Sequence, residues 1–299
     1  MEKRYNMEKL YNQDTISQAI HTEWAGKTVH FARETDSTNI WAKNLAKEGA
    51  PHGTLAVAEF QNAGRGRFAR RWSAPEGSSV MMTLVLRPQI PPNCASMLTL
   101  VMGLSVAQAV EKVCRCDSRE TVKETGVSAA RNFCTEPGNF GVQIKWPNDV
   151  VLSRKKICGI LTEMSVVGMD INYVVIGAGV NVNMKEFPAE LADKATSLSR
   201  ECGREFDRNE VAAAVMECFE VNYEKFAQTC DMSLLKDDYE RYLANLGEVV
   251  RVLDNQNPYE GTCLGINEQG ELLVRTADGG EVRKVAAGEV SVRGLYSYV

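Results

Sequence analysis

Between Gly141 and Ala178 three strand-like runs, 141–146, 156–164 and 173–178, follow one another across short, turn-rich connections. Parallel pairing needs a crossover of a dozen or more residues, so these runs predict an antiparallel meander. The chain before them alternates strand and helix patterns. Residues 27–34 read as a strand, and Asp36, Ser37 and Thr38 supply N-cap chemistry for a helix through Trp41 and Leu45 that stops at Gly49. Residues 54–60 and 79–86 read as further strands, the second stopped by Pro88, Pro91 and Pro92. A helix is predicted over 96–113. Its apolar stretch, 97–110, is broken by Thr99, Gly103, Ser105 and Gln108 and falls short of the roughly 20 residues that span a bilayer, so it reads as a buried helix and no membrane partner is expected.

Further on, Asp207 and Glu210 have capping-box spacing ahead of a helix to about Phe226, and a second helix, 232–246, ends at Gly247. From Glu248 onward short strands are separated by Asn-Pro, Glu-Gln-Gly and Asp-Gly-Gly turns. The expected organisation is an α+β domain over 1–246, with a mixed, largely antiparallel sheet flanked by helices, and a small β domain resembling a barrel over 247–299. The boundary near Gly247 carries no flexible linker. Residues 115–139, polar and without periodicity, read as a loop insertion.

A net charge of −5 weighs against a dedicated nucleic-acid binder, because affinity for a polyanion comes mainly from a basic surface. Nine cysteines without CxxC spacing predict reduced thiols in a cytoplasmic protein, and the start, 1–14, lacks the apolar run of a secretory signal.

Any anion site must therefore be local, and one segment has the right composition. Gln61-Asn62-Ala63-Gly64-Arg65-Gly66-Arg67-Phe68-Ala69-Arg70-Arg71-Trp72 places four arginines and two glycines in one loop between strands. Guanidinium forks bind phosphate or carboxylate oxygens in pairs, and glycine lets backbone N–H groups approach them. By composition alone the loop is equally an anion site, a solvated basic loop or an RNA contact. Gly64 and Gly66 leave it free until a ligand orders it. A second segment, Lys145-Trp146-Pro147-Asn148-Asp149 followed by 154–163, forms a hairpin that brings Lys145, Asp149 and Lys156 together, with Gly159 offering bare backbone to a flat ligand. A solvated, inert hairpin tip is the competing interpretation. The third, Val175-Ile176-Gly177-Ala178-Gly179-Val180-Asn181, is a strand end marked by two glycines and carries little by itself.

In this order and spacing, ETDSTN from Glu34, AEFQNAGRGRFARRW, KWPNDVVLSRKKICGILTE and GAGVNVN resemble the biotin protein ligase family across most of 27–293. The resemblance implies a class II synthetase-like catalytic fold, an SH3-like β domain after it, and a ligase with ATP, Mg2+ and biotin as its small molecules. Such an enzyme forms biotinyl-5′-AMP and transfers biotin to a lysine of a biotin carboxyl carrier protein. Biotin contacts are implied for Ser37, Thr38, Asn39, Gln61, Gly64, Arg65, Arg67, Lys156 and Gly159. Arg65, Arg67, Arg70, Trp72, Asn148, Lys156 and Asn181 match the nucleotide side. Lys156, Arg67 and Asp149 are the catalytic candidates, and Asp149 is also the candidate for Mg2+. A homodimer is left open. With only 1–29 ahead of the first core strand, too short for a helix-turn-helix unit, a single-function ligase without a DNA partner is expected. The alternatives are a lipoate or octanoyl ligase, whose His-Asp signature is missing here, and a non-catalytic biotin sensor.

Overall fold

A computed structural model describes residues 10–116, 141–253, 258–277, 280–287 and 291–294. Its elements run α1 (Gln13–Ala19), β1 (Val29–Thr35), α2 (Thr38–Lys47), β2 (Thr54–Gln61), β3 (Ser79–Leu86), α3 (Leu98–Cys116), β4 (Val142–Lys145), β5 (Asp149–Leu152), β6 (Lys155–Val167), β7 (Asp170–Asn181), α4 (Leu198–Cys202), α5 (Arg208–Thr229) and α6 (Lys236–Tyr242). Strands β8 (Val249–Leu253), β9 (Tyr259–Ile266), β10 (Leu272–Thr276), β11 (Val282–Val285) and β12 (Ser291–Gly294) follow.

The first seven strands form one sheet in the order β1-β2-β3-β7-β6-β5-β4, antiparallel except for the β1–β2 pair. Side chains alternate between its two faces. Leu55, Val57, Met82, Leu84, Ile176 and Val180 point to the main core, which α3 and α5 cover. Ala56, Val85, Tyr173 and Val175 point the other way and meet Ala42 and Ala46 of α2. Strand β3 is buried along its whole length because both faces are covered, which is why its sequence shows no polar alternation. Helix α3, with the turn before it, is long and apolar enough to cross a membrane, but 72% of its apolar window lies inside this core.

The structure departs from the sequence expectation at three places. Strand β5 was not anticipated. Its four residues return to β6 through Ser153 and Arg154, both left-handed at φ 51° and 63°, where a hairpin signal normally shows Asn or Gly. The helix expected over 232–246 is only Lys236–Tyr242, because Leu243 leaves it extended to bridge Ile144, whose carbonyl accepts from Ala244 N–H at 2.9 Å. The edge of the sheet outcompetes the helical pattern. Ser37 takes the N-cap position of α2, yet its side chain makes no capping bond. Of the expected insertion, Arg115 and Cys116 belong to α3, and 117–139 lies outside the described residues.

Strands β8 to β12 form a second, antiparallel sheet in the order β11-β10-β9-β8-β12. It is fastened directly to the first unit. Trp146 Nε1 donates to Gly270 O at 3.0 Å, Met232 N to Glu268 O at 2.7 Å, and Ile266 N to Glu240 Oε1 at 2.9 Å.

Candidate active site

The register of the sheet builds the site. On the α2 face, three rows of residues cross the strands: Thr54-Val85-Val175-Glu163, Ala56-Thr83-Gly177-Leu161 and Ala58-Met81-Gly179-Gly159. Helix α2 covers the first row, and the other two lie beneath and beyond its N-terminus. Three of their members are glycine, so the sheet there is bare. A pocket of about 460 Å³, counted to its open mouth, occupies this ground.

One wall is polar and already wired. Gln61 Oε1 accepts from Thr38 N–H at 2.7 Å and from the Thr38 hydroxyl at 3.1 Å, which satisfies an N–H that the helix end would otherwise leave open. Asn39 lies across the bare strand, where a Cβ on Gly177 would stand 2.0 Å from its Oδ1. Its Nδ2 donates to Leu161 O at 3.1 Å and Glu163 Oε2 at 2.9 Å, and Thr83 Oγ1 lies 2.8 Å from both Asn39 Oδ1 and Thr38 Oγ1. Burial disfavours the Glu163 carboxylate, but hydrogen bonds from Lys43 and Asn39 outweigh it and hold its pKa below the usual value. The Ser37 hydroxyl, not used for capping, faces the same pocket without a hydrogen-bond partner among the described residues.

The opposite wall is cationic. Lys156 Nζ pairs with Asp149 Oδ1 at 2.6 Å, and Asp149 sits opposite Gly159 in the β5–β6 register. Asn148 is clamped to β6 through Ile160, its side-chain amide donating to Ile160 O at 3.2 Å, and its Oδ1 accepts from Arg67 Nη1 at 2.7 Å. Burial pulls the Arg67 pKa down, the neighbouring Asp149 carboxylate pushes it up, and Arg70 lowers it again. Arg67 Nη2 and Trp72 Nε1 are buried on pocket-lining residues with no partner among the described residues. Two unsatisfied buried donors at one pocket call for an acceptor from outside the chain.

The arginine loop closes on itself. Gly66 N donates to Arg70 O at 2.7 Å, Trp72 N to Gly64 O at 3.0 Å, and Arg65 bridges Arg71, so the loop holds a small hairpin. A Cβ on Gly64 would meet Trp72 O at 2.4 Å, so glycine serves close approach there rather than freedom. The flat group on Gly159 is the Trp72 indole, which also rests on Gly179, 2.6 Å from where its Cβ would be.

Ser37, Thr38, Asn39, Gln61, Arg65, Arg67, Trp72, Asn148, Lys156 and Gly159 all line this one pocket. Gly64, Arg70, Asp149 and Asn181 do not: Gly64 packs on Trp72, Arg70 is exposed, Asp149 reaches the pocket only through its pair with Lys156, and buried Asn181 donates to Thr196 O at 3.2 Å. Sequence reasoning missed Thr83, Glu163, Met81 and Leu161. Gly177 and Gly179 did stand out, but their meaning depends on a register that spacing does not reveal. Lys145 is 7% exposed, so it is a buried member of the hairpin and not a free cation at its tip.

Known proteins resemble this chain in sequence and in fold. The family model described as "Biotin/lipoate A/B protein ligase family" matches 31–181, and the "Biotin protein ligase C terminal domain" matches 246–293. The chain belongs to the biotin/lipoate A/B protein ligase family. Among relatives, the bifunctional ligase/repressor BirA of Bacillus subtilis is 34% identical over 94% of this chain and 79% of its own length. The biotin--[acetyl-CoA-carboxylase] ligase of Paracoccus denitrificans is 31% identical over 86% of this chain and 97% of its own. The biotin protein ligase of Aquifex aeolicus, solved with biotin and ATP, superposes with a TM-score of 0.71 at 31% identity, covering 90% of this chain and 99% of that one.

Proposed function

We propose that this chain is an ATP-dependent ligase that converts biotin to biotinyl-5′-AMP and transfers the biotin to one lysine of a biotin carboxyl carrier protein. The observation that carries the reading is the pairing of a bare, polar-walled pocket with a cationic wall two of whose buried donors have no partner among the described residues, in a chain of this family. Ser37, Thr38, Asn39 and Gln61 suit the uncharged ring of biotin. Its carboxylate then points to Lys156, Arg65 and Arg67.

Attack of that carboxylate on the α-phosphorus of ATP releases pyrophosphate and gathers negative charge on oxygen, which preorganised cations stabilise without a protein nucleophile. Lys156, tied to Asp149, and Arg67, tied to Asn148, are held in place by contacts within the chain. The carrier amine next attacks the anhydride carbonyl and AMP leaves, a step that depends mainly on alignment. Trp72, between the glycines and the loop, is placed for the nucleotide base.

Mg2+ would offset phosphate charge. Asp149 is a single carboxylate, and no group of three metal-ligating side chains occurs among the described residues, which fits an ion arriving with the nucleotide better than a resident one. The net charge of −5 weighs against a DNA partner, although the Bacillus subtilis relative is named a repressor as well as a ligase.

The test mixes the protein with ATP, Mg2+, biotin and a carrier domain. Pyrophosphate and a carrier heavier by one biotinyl group are expected. Transfer of lipoate or octanoate instead would favour the lipoyl branch of the family, and binding without pyrophosphate would favour a sensor.

A further inference from the structure

Thr83 is fully buried in a strand that is otherwise apolar through its middle, and neither its burial nor its place in β3 requires a hydroxyl. What the hydroxyl does follows from counting protons. Asn39 is oriented by its amide: both Nδ2 hydrogens are taken by Leu161 O and Glu163, so its oxygen must face Thr83. That oxygen can only accept, and Thr83 has one proton to give. The proton therefore belongs to Asn39 Oδ1, although Thr38 Oγ1 stands equally close at 2.8 Å. Thr38 turns its own proton inward, to the Thr83 oxygen at 2.8 Å with Gln61 Oε1 at 3.1 Å beside it. Its oxygen is left with acceptor capacity on a residue that lines the pocket.

The origin of this polarity is Glu163, whose carboxylate is held ionised by Lys43 at the rim. Gly177 contributes by leaving room, since any Cβ there would collide with the Asn39 oxygen.

We propose that Thr83 and Glu163 are positioning residues that keep Thr38 an acceptor at the pocket wall and so select a ligand with ring N–H donors, a cyclic urea, over an acyl chain that has none. The inference rests on the ligase reading above and adds two residues, neither lining the pocket, that set its ligand class. A site built to receive a hydrogen bond discriminates strongly against an analogue that lacks the donor.

The experiment measures pyrophosphate release by the full-length chain as a function of biotin and, separately, ATP, for wild type, Thr83→Val, Thr83→Ser and Glu163→Ala. Thr83→Val preserves shape but removes the proton given to Asn39 and the oxygen that draws the Thr38 proton inward, so the Thr38 hydroxyl can turn its proton toward the pocket. The KM for biotin is expected to rise about tenfold, with kcat and the KM for ATP within about twofold, and Thr83→Ser is expected to restore the wild-type value. Lipoate, which has no ring N–H, should compete equally well against wild type and Thr83→Val. Glu163→Ala, at a partly exposed site, gives the same split if Thr83→Val does not fold. A wild-type chain that releases no pyrophosphate would refute the ligase reading itself. An active wild type whose variants keep the biotin KM, or lose kcat and both KM values together, overturns the assignment.

Discussion

Replacing Lys156 with alanine separates catalysis from folding because the two effects differ in size. Withdrawing one preorganised donor from developing oxygen charge costs about 3 kcal/mol in barrier, or roughly 150-fold in the rate of adenylate formation. The folding cost is smaller. The Lys156–Asp149 pair is short at 2.6 Å, but a quarter of the Lys156 side chain is exposed. Solvent screening leaves about 1 kcal/mol, which lowers Tm by roughly 2–4 °C. One ambiguity remains, since the variant also leaves the Asp149 charge without its partner beside an incoming triphosphate. Pyrophosphate release and thermal melting of Lys156→Ala, Asp149→Ala and the double variant resolve it. If Lys156 acts on the reacting oxygens, the double variant stays as slow as Lys156→Ala. Recovery of the double variant to within a few-fold of Asp149→Ala would reduce Lys156 to a neutraliser of Asp149, and a folded Lys156→Ala that releases pyrophosphate within threefold of wild type would refute its role altogether. Lys145 cannot serve as the charge control, because its burial makes any alanine there a folding variant.

Arg67→Gly removes the tie to Asn148 and a buried donor while leaving Lys156 in place; adenylate is expected to form but escape faster, so biotin should appear on bystander albumin, and labelling confined to the carrier domain would count against it. Gly179→Ala puts a methyl 2.6 Å from the Trp72 indole; displacing the ring should cost on the order of tenfold to a hundredfold in kcat/KM for ATP and leave biotin affinity close to normal, measured by calorimetry. Cys114 and Cys202 hold their sulfurs 3.6 Å apart, and the bond to Cys114 holds the Cys202 pKa below its usual value; hydrogen peroxide should therefore oxidise the two thiols to a disulfide while it is reduced to two waters, seen as loss of two titratable thiols that Cys114→Ser prevents.

The parts of this fold that were legible in the sequence depend on local chemistry. Strand β3 has the expected bounds because apolar residues and flanking prolines fix both ends, and the arginine loop announces itself by composition. Elements decided by distant partners were not legible. Leu243 and Ala244 read as helix, yet Ile144, about a hundred residues earlier, takes them for the sheet edge. Strand β5 hides because Ser153 and Arg154 adopt left-handed angles that their side chains do not advertise. Thr83 looks like any β-branched strand residue, and only the side chains facing it from α2 make its hydroxyl meaningful.

The position of the site follows from the length of one helix. Helix α2 begins at Thr38, and from there it shields the row that contains Val85 and Val175. Extending it backwards by a turn would lay side chains over Gly177 and Gly179, where the pocket lies. Asp36 prevents this by accepting the Ser37 N–H at 2.6 Å, which turns the chain out of the helix before the glycine rows are reached. With the helix stopped there, its first N–H is available to Gln61, the partial positive charge of its N-terminus faces the pocket, and Ser37 lines the pocket with a hydroxyl not used for capping. The ETDSTN segment is therefore first a stop for α2, and its place on the pocket wall is a consequence of where that stop falls. A change at Asp36 should accordingly harm the pocket through the backbone of Ser37 and Thr38, even though Asp36 does not line it.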